Sequence, residues 1–123
     1  MSWEFKTNRP IYLQLIEQIE LRIFSGIYPR GSRLPSVRDM AKQAAVNPNT
    51  MQRALSKLEQ DGLIITDRTR GRFITDDKKM IDKAKNRMAQ EQVNHFFGNM
   101  QKLGFDKKDV IAIINKVLEE MKK

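Results

Sequence analysis

The stretch that decides the fold covers residues 36–60 and reads SVRDMAKQAAVNPNTMQRALSKLEQ. Two short helical patterns lie in it, and residues 45–47 separate them. Ser36 is placed to cap the first helix, because a serine just before an apolar-periodic run is a common start signal. Asn47 and Pro48 mark the start of the second, since proline suits the first helical position. The stretch therefore predicts two helices joined by a tight turn.

The second of these helices is predicted to have two different faces. Its core face carries apolar residues at helical spacing: Met51, Ala54, Leu55 and Leu58. At about 100° per residue, the opposite face carries Asn49, Gln52, Arg53 and Ser56. Amide side chains suit an adenine edge and arginine suits guanine, so this polar face fits the major groove of DNA.

A β-hairpin is predicted directly after the second helix. The segments 63–66 and 72–75 are short and β-prone, and residues 67–71 separate them. Arg68, Arg70 and Arg72 alternate across the predicted tip. Two helices joined by a tight turn and followed by such a hairpin are the sequence form of a winged helix-turn-helix.

Composition excludes most catalytic classes. Among 123 residues there is no cysteine and a single histidine, His95. Disulfides, zinc fingers, thiol nucleophiles and sites that need two imidazoles are therefore excluded. We expect a protein that is not an enzyme and has no metal and no cofactor. The 23 Lys and Arg against 15 Asp and Glu give a net charge of +8, which favours double-stranded DNA as partner.

No secretion signal and no apolar run long enough for a membrane span is recognised, so we expect a cytoplasmic protein without a membrane partner. A first helix is predicted with Pro10 at its first helical position, after a cap in Asn8-Arg9. Its apolar residues recur at Tyr12, Leu15, Ile16, Ile19, Ile23 and Phe24. Tyr28–Pro35 contains two prolines and a glycine and is expected to be an irregular connector.

The last part of the chain, residues 77–123, is predicted to form two long helices that meet at Gly104, with Asp106 as the cap of the second. Two helices cannot cover such wide apolar faces alone, so we expect this hairpin to dimerise. The residues expected to pair across a two-fold axis are Val110, Ile114, Val117 and Leu118, with Phe96, Met100 and Leu103. His95, among Val93, Phe96 and Phe97, is expected to be a partly buried structural residue.

The sequence also resembles the GntR family of bacterial transcriptional regulators, and its short tail is similar to that of the YtrA-like subfamily. The matching segments are LPSVRDMA (34–41), VNPNTM (46–51), RAL (53–55), LE (58–59) and DGLI (61–64), with PIY (10–12) and GRFI (71–74). The resemblance implies a mainly α fold with a small β-hairpin wing. It further implies a DNA-binding domain over 1–76, a dimerisation hairpin over 77–123, and a dimeric repressor that binds palindromic operators.

The resemblance also implies site residues. DNA contacts are expected at Arg38, at Asn47, Asn49, Thr50, Gln52 and Arg53, and in the wing at Arg70, Gly71 and Arg72. Ala45 departs from the family pattern, which has glycine there. If this turn residue adopts a positive φ, alanine is slightly strained.

Several alternatives remain open at the level of sequence. Arg38 could pair with Asp39 or Glu59 instead of a phosphate, and Asn47 is a helix cap before it is a DNA contact. Arg33 could brace the connector or bind a phosphate, and the wing arginines could simply keep a hairpin edge soluble. The whole chain could be a winged-helix protein-interaction module without specific DNA binding. An unidentified small-molecule effector at the dimer or domain interface also stays open as a partner.

Overall fold

The computed structural model describes residues 1–123, which form helices and one antiparallel hairpin of two strands. In chain order the elements are α1 (Ile11–Phe24), α2 (Val37–Ala44), α3 (Pro48–Gln60), β1 (Ile64–Asp67), β2 (Gly71–Ile74), α4 (Lys78–Lys102) and α5 (Lys107–Met121). The predicted fold class, mainly α with a small hairpin wing, is confirmed. The chain divides into two compact units, Met1–Lys83 and Ala84–Lys123, and α4 crosses the division.

Helix α3 is the centre of the first unit, because α1, α2 and β1 all pack on it. Its buried residues are those that the helical pattern predicts: Met51, Ala54, Leu55 and Leu58. The neighbouring elements contribute further side chains that are almost fully buried: Leu15, Ile19, Met40, Leu63, Ile64 and Ile74. Each large apolar side chain buried in this way contributes about 1.5–3 kcal/mol before entropy is counted. This core fixes α3 with its polar face outward.

The turn between α2 and α3 depends on Ala45, which adopts the left-handed conformation with φ 56° and ψ 47°. It is the only residue other than glycine with a positive φ, which is the condition under which alanine is strained at this turn. The turn is closed by the N–H of Val46, which donates to the carbonyl of Ala41 at 3.0 Å. An L-residue in this region costs roughly 1–2 kcal/mol, so the turn is formed against a local cost.

The hairpin pairs Ile64 with Ile74 at its base and Asp67 with Gly71 at its tip. Both strands therefore lie one residue closer to the tip than predicted: β1 is 64–67 instead of 63–66, and β2 is 71–74 instead of 72–75. The reason lies in Asp67, whose Oδ1 accepts hydrogen bonds from the N–H of Thr69 at 2.9 Å and from its hydroxyl at 2.8 Å. These bonds close a tip of three residues, 68–70, which moves Gly71 into β2.

The connector between α1 and α2 pairs with the wing, a contact that its prolines and glycine do not predict. Arg33 forms an isolated antiparallel bridge with Phe73. The N–H of Leu34 donates to the carbonyl of Arg72 at 2.8 Å, and the N–H of Ile74 donates to the carbonyl of Ser32 at 2.8 Å. The connector thus adds a short third partner to the hairpin and holds the wing beside the start of α2.

The residues before α1 lie along that helix and are held by two buried polar side chains, Gln14 and Arg22. The side chain of Gln14 bonds both backbone groups of Lys6, at 2.7 and 2.8 Å. Arg22 donates to the carbonyl of Met1 at 3.0 Å and lies 3.5 Å from the ring centroid of Trp3. Burial lowers the pKa of Arg22 from its ordinary value. Its hydrogen bonds to the carbonyls of Gln18 and Met1 give this arginine a structural role.

In the second unit, α5 begins with the predicted cap. The carboxylate of Asp106 accepts from the N–H of Asp109 at 2.9 Å, and that of Asp109 accepts from the N–H of Asp106 at 3.1 Å. Val110 is only 1 % exposed; one chain already buries it, so its predicted place in a dimer surface is wrong. His95 is exposed rather than partly buried, because nothing in the single chain covers that side of α4.

Many large apolar side chains of the second unit lie open to solvent. Those that are 39–73 % exposed are Val93, Phe96, Leu103, Phe105, Ile111, Val117, Leu118 and Met121. None of the helices is long and apolar enough to span a membrane.

Candidate nucleic-acid interface

The outer face of α3 is polar and open to solvent. Asn49, Gln52 and Arg53 are exposed, whereas Thr50 on the flank is half-buried. Gln52 makes one weak contact within the helix, from Nε2 to the hydroxyl of Ser56 at 3.4 Å. Its amide therefore keeps both donor and acceptor capacity for another partner.

The start of α3 is capped as the sequence predicts. Pro48 is the first helical residue, and Oδ1 of Asn47 accepts from the N–H of Asn49 at 2.8 Å. The cap occupies the oxygen of Asn47 and leaves its amide N–H groups available. The first N–H groups of a helix carry partial positive charge and attract anions such as phosphate.

Arg38, in the first turn of α2, is an exposed cation without a partner. The ion pairs of the structure join Arg9 to Glu17, Arg30 to Asp76, Lys57 to Asp61 and Lys122 to Glu119. Neither Asp39 nor Glu59 pairs with Arg38, so the structural alternative left open by the sequence is not formed. The guanidinium keeps its full set of donors.

The tip of the wing carries Arg68 and Arg70, both exposed. The guanidinium carbon of Arg70 lies 5.0 Å from the ring centroid of Phe73. Hydrogen bonds from Thr69 to Asp67 hold the pKa of that carboxyl below its usual range. The loop is therefore anchored by its acidic residue while its basic residues face solvent.

A cleft of about 330 Å³ lies between the wing and the start of α2, and its lining includes Arg33, Ser36, Arg68, Gly71 and Arg72. The Nε of Arg72 is buried and has no hydrogen-bond partner. Gly71 has φ 108°, and a Cβ there would lie 3.2 Å from Nε of Arg33. A side chain at this position would be strained by the positive φ and would crowd the Arg33 guanidinium.

One polar neighbour of α3 is not indicated by the sequence. The guanidinium carbon of Arg53 lies 4.5 Å from the ring centroid of Tyr12 in α1. The helical pattern placed Tyr12 in the apolar stripe of α1, yet it is only half-buried. The phenol ring is the one feature that distinguishes Tyr12 from the aliphatic residues of that stripe. The sequence does not identify Arg53 as its neighbour, because that contact depends on tertiary packing.

No three or more His, Cys, Asp or Glu side chains are grouped so that they could hold a metal ion. The arrangement instead combines a polar helix face, a capped helix start and unpaired arginines at the wing and on α2. Groups of this kind recognise nucleic acid, through base edges with amides and through phosphates with cations.

Comparison with known proteins agrees with this arrangement. Residues 11–74 match the family described as "Bacterial regulatory proteins, gntR family". The chain is 37 % identical over 119 residues to YhcF of Bacillus subtilis (strain 168), an HTH-type transcriptional regulator, with 97 % of this chain and 98 % of that protein covered. It is 31 % identical over 118 residues to the HTH-type transcriptional repressor YtrA of the same organism, with 95 % and 91 % covered.

A solved structure shows the same fold over nearly the whole chain. A GntR family transcriptional regulator from Listeria monocytogenes superposes with a TM-score of 0.83 at 38 % identity, and 91 % of this chain and 98 % of that chain are covered. The family match includes α1, the helix-turn-helix and the wing, and the relatives extend through the tail. The chain therefore belongs to the gntR family of bacterial regulatory proteins, which are DNA-binding, helix-turn-helix transcription regulators.

Proposed function

We propose that this protein is a sequence-specific, dimeric repressor that binds a palindromic operator. The observation that carries the proposal is the exposed polar face of α3, capped at its start and flanked by arginines outside the ion pairs that hold Arg9 and Arg30. A protein-docking face is usually more apolar at its centre.

The side chains divide into two groups by chemistry. Gln52 and Asn49 are neutral amides on the outer face of α3 and are assigned to base edges in the major groove. The second group is cationic and is assigned to phosphates or to a minor groove. Its members are Arg38, Arg53, Arg70 and Arg72. Asn47 and Thr50, around the start of α3, are assigned to the phosphate backbone. Gly71, whose Cβ would meet the Arg33 guanidinium, is assigned to the same backbone contact as its flanking arginines.

Dimerisation is assigned to the tail, residues 77–123. A palindromic operator needs two copies of α3 related by a two-fold axis. Support comes from the exposed apolar side chains of the second unit, such as Phe96 at 41 %, Ile111 at 54 % and Leu118 at 51 %. Ile111 and Leu118 lie seven residues apart on one side of α5, as expected for a surface that a second copy covers.

Repression is supported by YtrA, a repressor that matches this chain over nearly its full length. A repressor acts by occupying DNA, which needs no chemistry beyond binding. A small-molecule effector would regulate that occupancy by favouring one dimer geometry over another.

The test is selection of bound duplexes from a random-sequence pool, followed by binding over a salt series. We expect an enriched inverted repeat whose half-sites lie about one helical turn, or a multiple of it, apart. Affinity should fall steeply with salt, because phosphate contacts release counterions. If a folded sample enriches no sequence, the protein is a winged-helix interaction module instead.

A further inference from the structure

The contact between Tyr12 and Arg53 joins the first turn of α1 to the outer face of α3. The guanidinium carbon lies 4.5 Å from the ring centroid, well within the range of a cation–π interaction. We propose that Tyr12 is a positioning residue, which holds Arg53 at the α1 side of α3 so that its guanidinium binds one backbone phosphate beside the recognition helix. The inference rests on the DNA-binding function proposed above.

The cation–π contact between Arg22 and Trp3 shows by contrast why the Arg53 guanidinium is open to a ligand. Arg22 over Trp3 is 2 % exposed, and its donors already bond the carbonyls of Gln18 and Met1. Arg53 is exposed, and it is not one of the arginines held by Glu17 or Asp76. Its position is therefore set by a ring face, which uses none of its N–H donors.

Pre-positioning matters because a free arginine loses much rotamer freedom when it binds. A guanidinium that rests on an aromatic ring has lost part of that freedom in the unbound protein, while its planar set of N–H donors stays available for two phosphate oxygens. The contact also holds the Arg53 guanidinium at the α1 side of α3. Gln52 is therefore the side chain assigned to base edges.

The test compares Tyr12→Phe, Tyr12→Leu, Arg53→Ala and the double variant Tyr12→Leu/Arg53→Ala. Binding is measured on two duplexes of about 30 base pairs, which is long enough for two half-sites one turn apart. One duplex is the selected sequence and the other has random sequence. Tyr12→Leu should weaken binding to both duplexes by about two- to fivefold per protomer. The salt slope, that is, the slope of log affinity against log salt concentration, should not change. Arg53→Ala should weaken binding to both and lower the slope by about one per protomer.

The conservative variant separates the ring from the hydroxyl. Tyr12→Phe keeps the ring face and should bind within about twofold of the wild type. In the Arg53→Ala background, Tyr12→Leu should have no further effect, because the group that Tyr12 positions is gone. Equal losses for Tyr12→Phe and Tyr12→Leu would overturn the proposal, and so would a Tyr12→Leu loss that persists without Arg53.

A readout without DNA keeps this proposal distinct from the function it rests on. In the free protein, the Arg53 side-chain protons should show an upfield ring-current shift in NMR spectra, which Tyr12→Phe retains and Tyr12→Leu abolishes. Unchanged spectra of Met51 and Leu55 would show that the core is intact in Tyr12→Leu. If the shift is present but wild type binds no DNA, the proposed function fails alone. If wild type binds DNA and the shift is absent, the positioning role fails alone.

Discussion

At the scale of single residues, Gln52 and Arg38 contrast a neutral amide with a charge. Gln52→Ala should cost about 1–3 kcal/mol per half-site on the selected duplex and leave affinity for random DNA nearly unchanged. A neutral side chain adds little to the nonspecific attraction between a cationic protein and phosphates. Preference should relax at one or two base positions, as binding to duplexes with single changes would show.

Arg38→Ala should behave differently, because its unpaired guanidinium acts through charge. It should weaken binding to both DNAs and reduce the salt slope by about one unit per protomer. Gln60→Ala, at the exposed end of α3, is the matched control and should bind as wild type. If the Gln52 and Arg38 variants lose affinity in parallel, with equal changes in slope, α3 is a backbone clamp and does not read bases.

At the scale of elements, the turn between α2 and α3 contains backbone strain at Ala45 that one substitution removes. Ala45→Gly relieves the left-handed alanine, worth roughly 1–2 kcal/mol, and gives back about 0.4–1 kcal/mol through the more flexible unfolded chain. Ala45 is exposed, so no packing is lost. We expect a net gain of about 0.5–1 kcal/mol, seen as a higher Tm or denaturant midpoint.

Ala89→Gly is the matched control, because Ala89 is exposed within the right-handed helix α4. It should destabilise the protein by roughly 0.5–1 kcal/mol. A Tm that falls in both variants would mean that the conformation of Ala45 costs the fold nothing, and the strain assigned to this turn would be withdrawn.

Local patterns predict the elements of the first unit well, and they fail where the chain pairs with a distant segment. The polar face of α3 and its Asn47 cap follow from helical period and capping chemistry within one turn. The one-residue shift of the hairpin follows from the Asp67 side chain, and the pairing of Leu34 with β2 joins segments far apart in sequence. Tyr12 beside Arg53 is likewise a tertiary contact that no periodicity encodes. For α3, the sequence thus predicts which residues face outward, but not which neighbour orients Arg53.

At the scale of the whole molecule, the second unit decides whether two copies of α3 act together. Ile111 and Leu118 are 54 % and 51 % exposed and lie seven residues apart, on one side of α5. A charge placed there costs the single chain little, since both side chains already contact water. In a dimer that buries them it would be strongly unfavourable, because an unpaired buried charge is costly.

The last prediction therefore uses full-length variants rather than a truncated chain. Wild type should be a dimer by light scattering, and Ile111→Glu/Leu118→Glu should be a folded monomer with an unchanged helical signal. That monomer should still contact one half-site through α3, so its affinity for the selected inverted repeat should fall towards its affinity for a single half-site. Lys116→Glu, at an exposed position on the other side of α5, changes the net charge by the same amount and should remain dimeric. A monomeric wild type would remove the tail from the mechanism, and a dimeric double variant would move the interface to another surface of the chain.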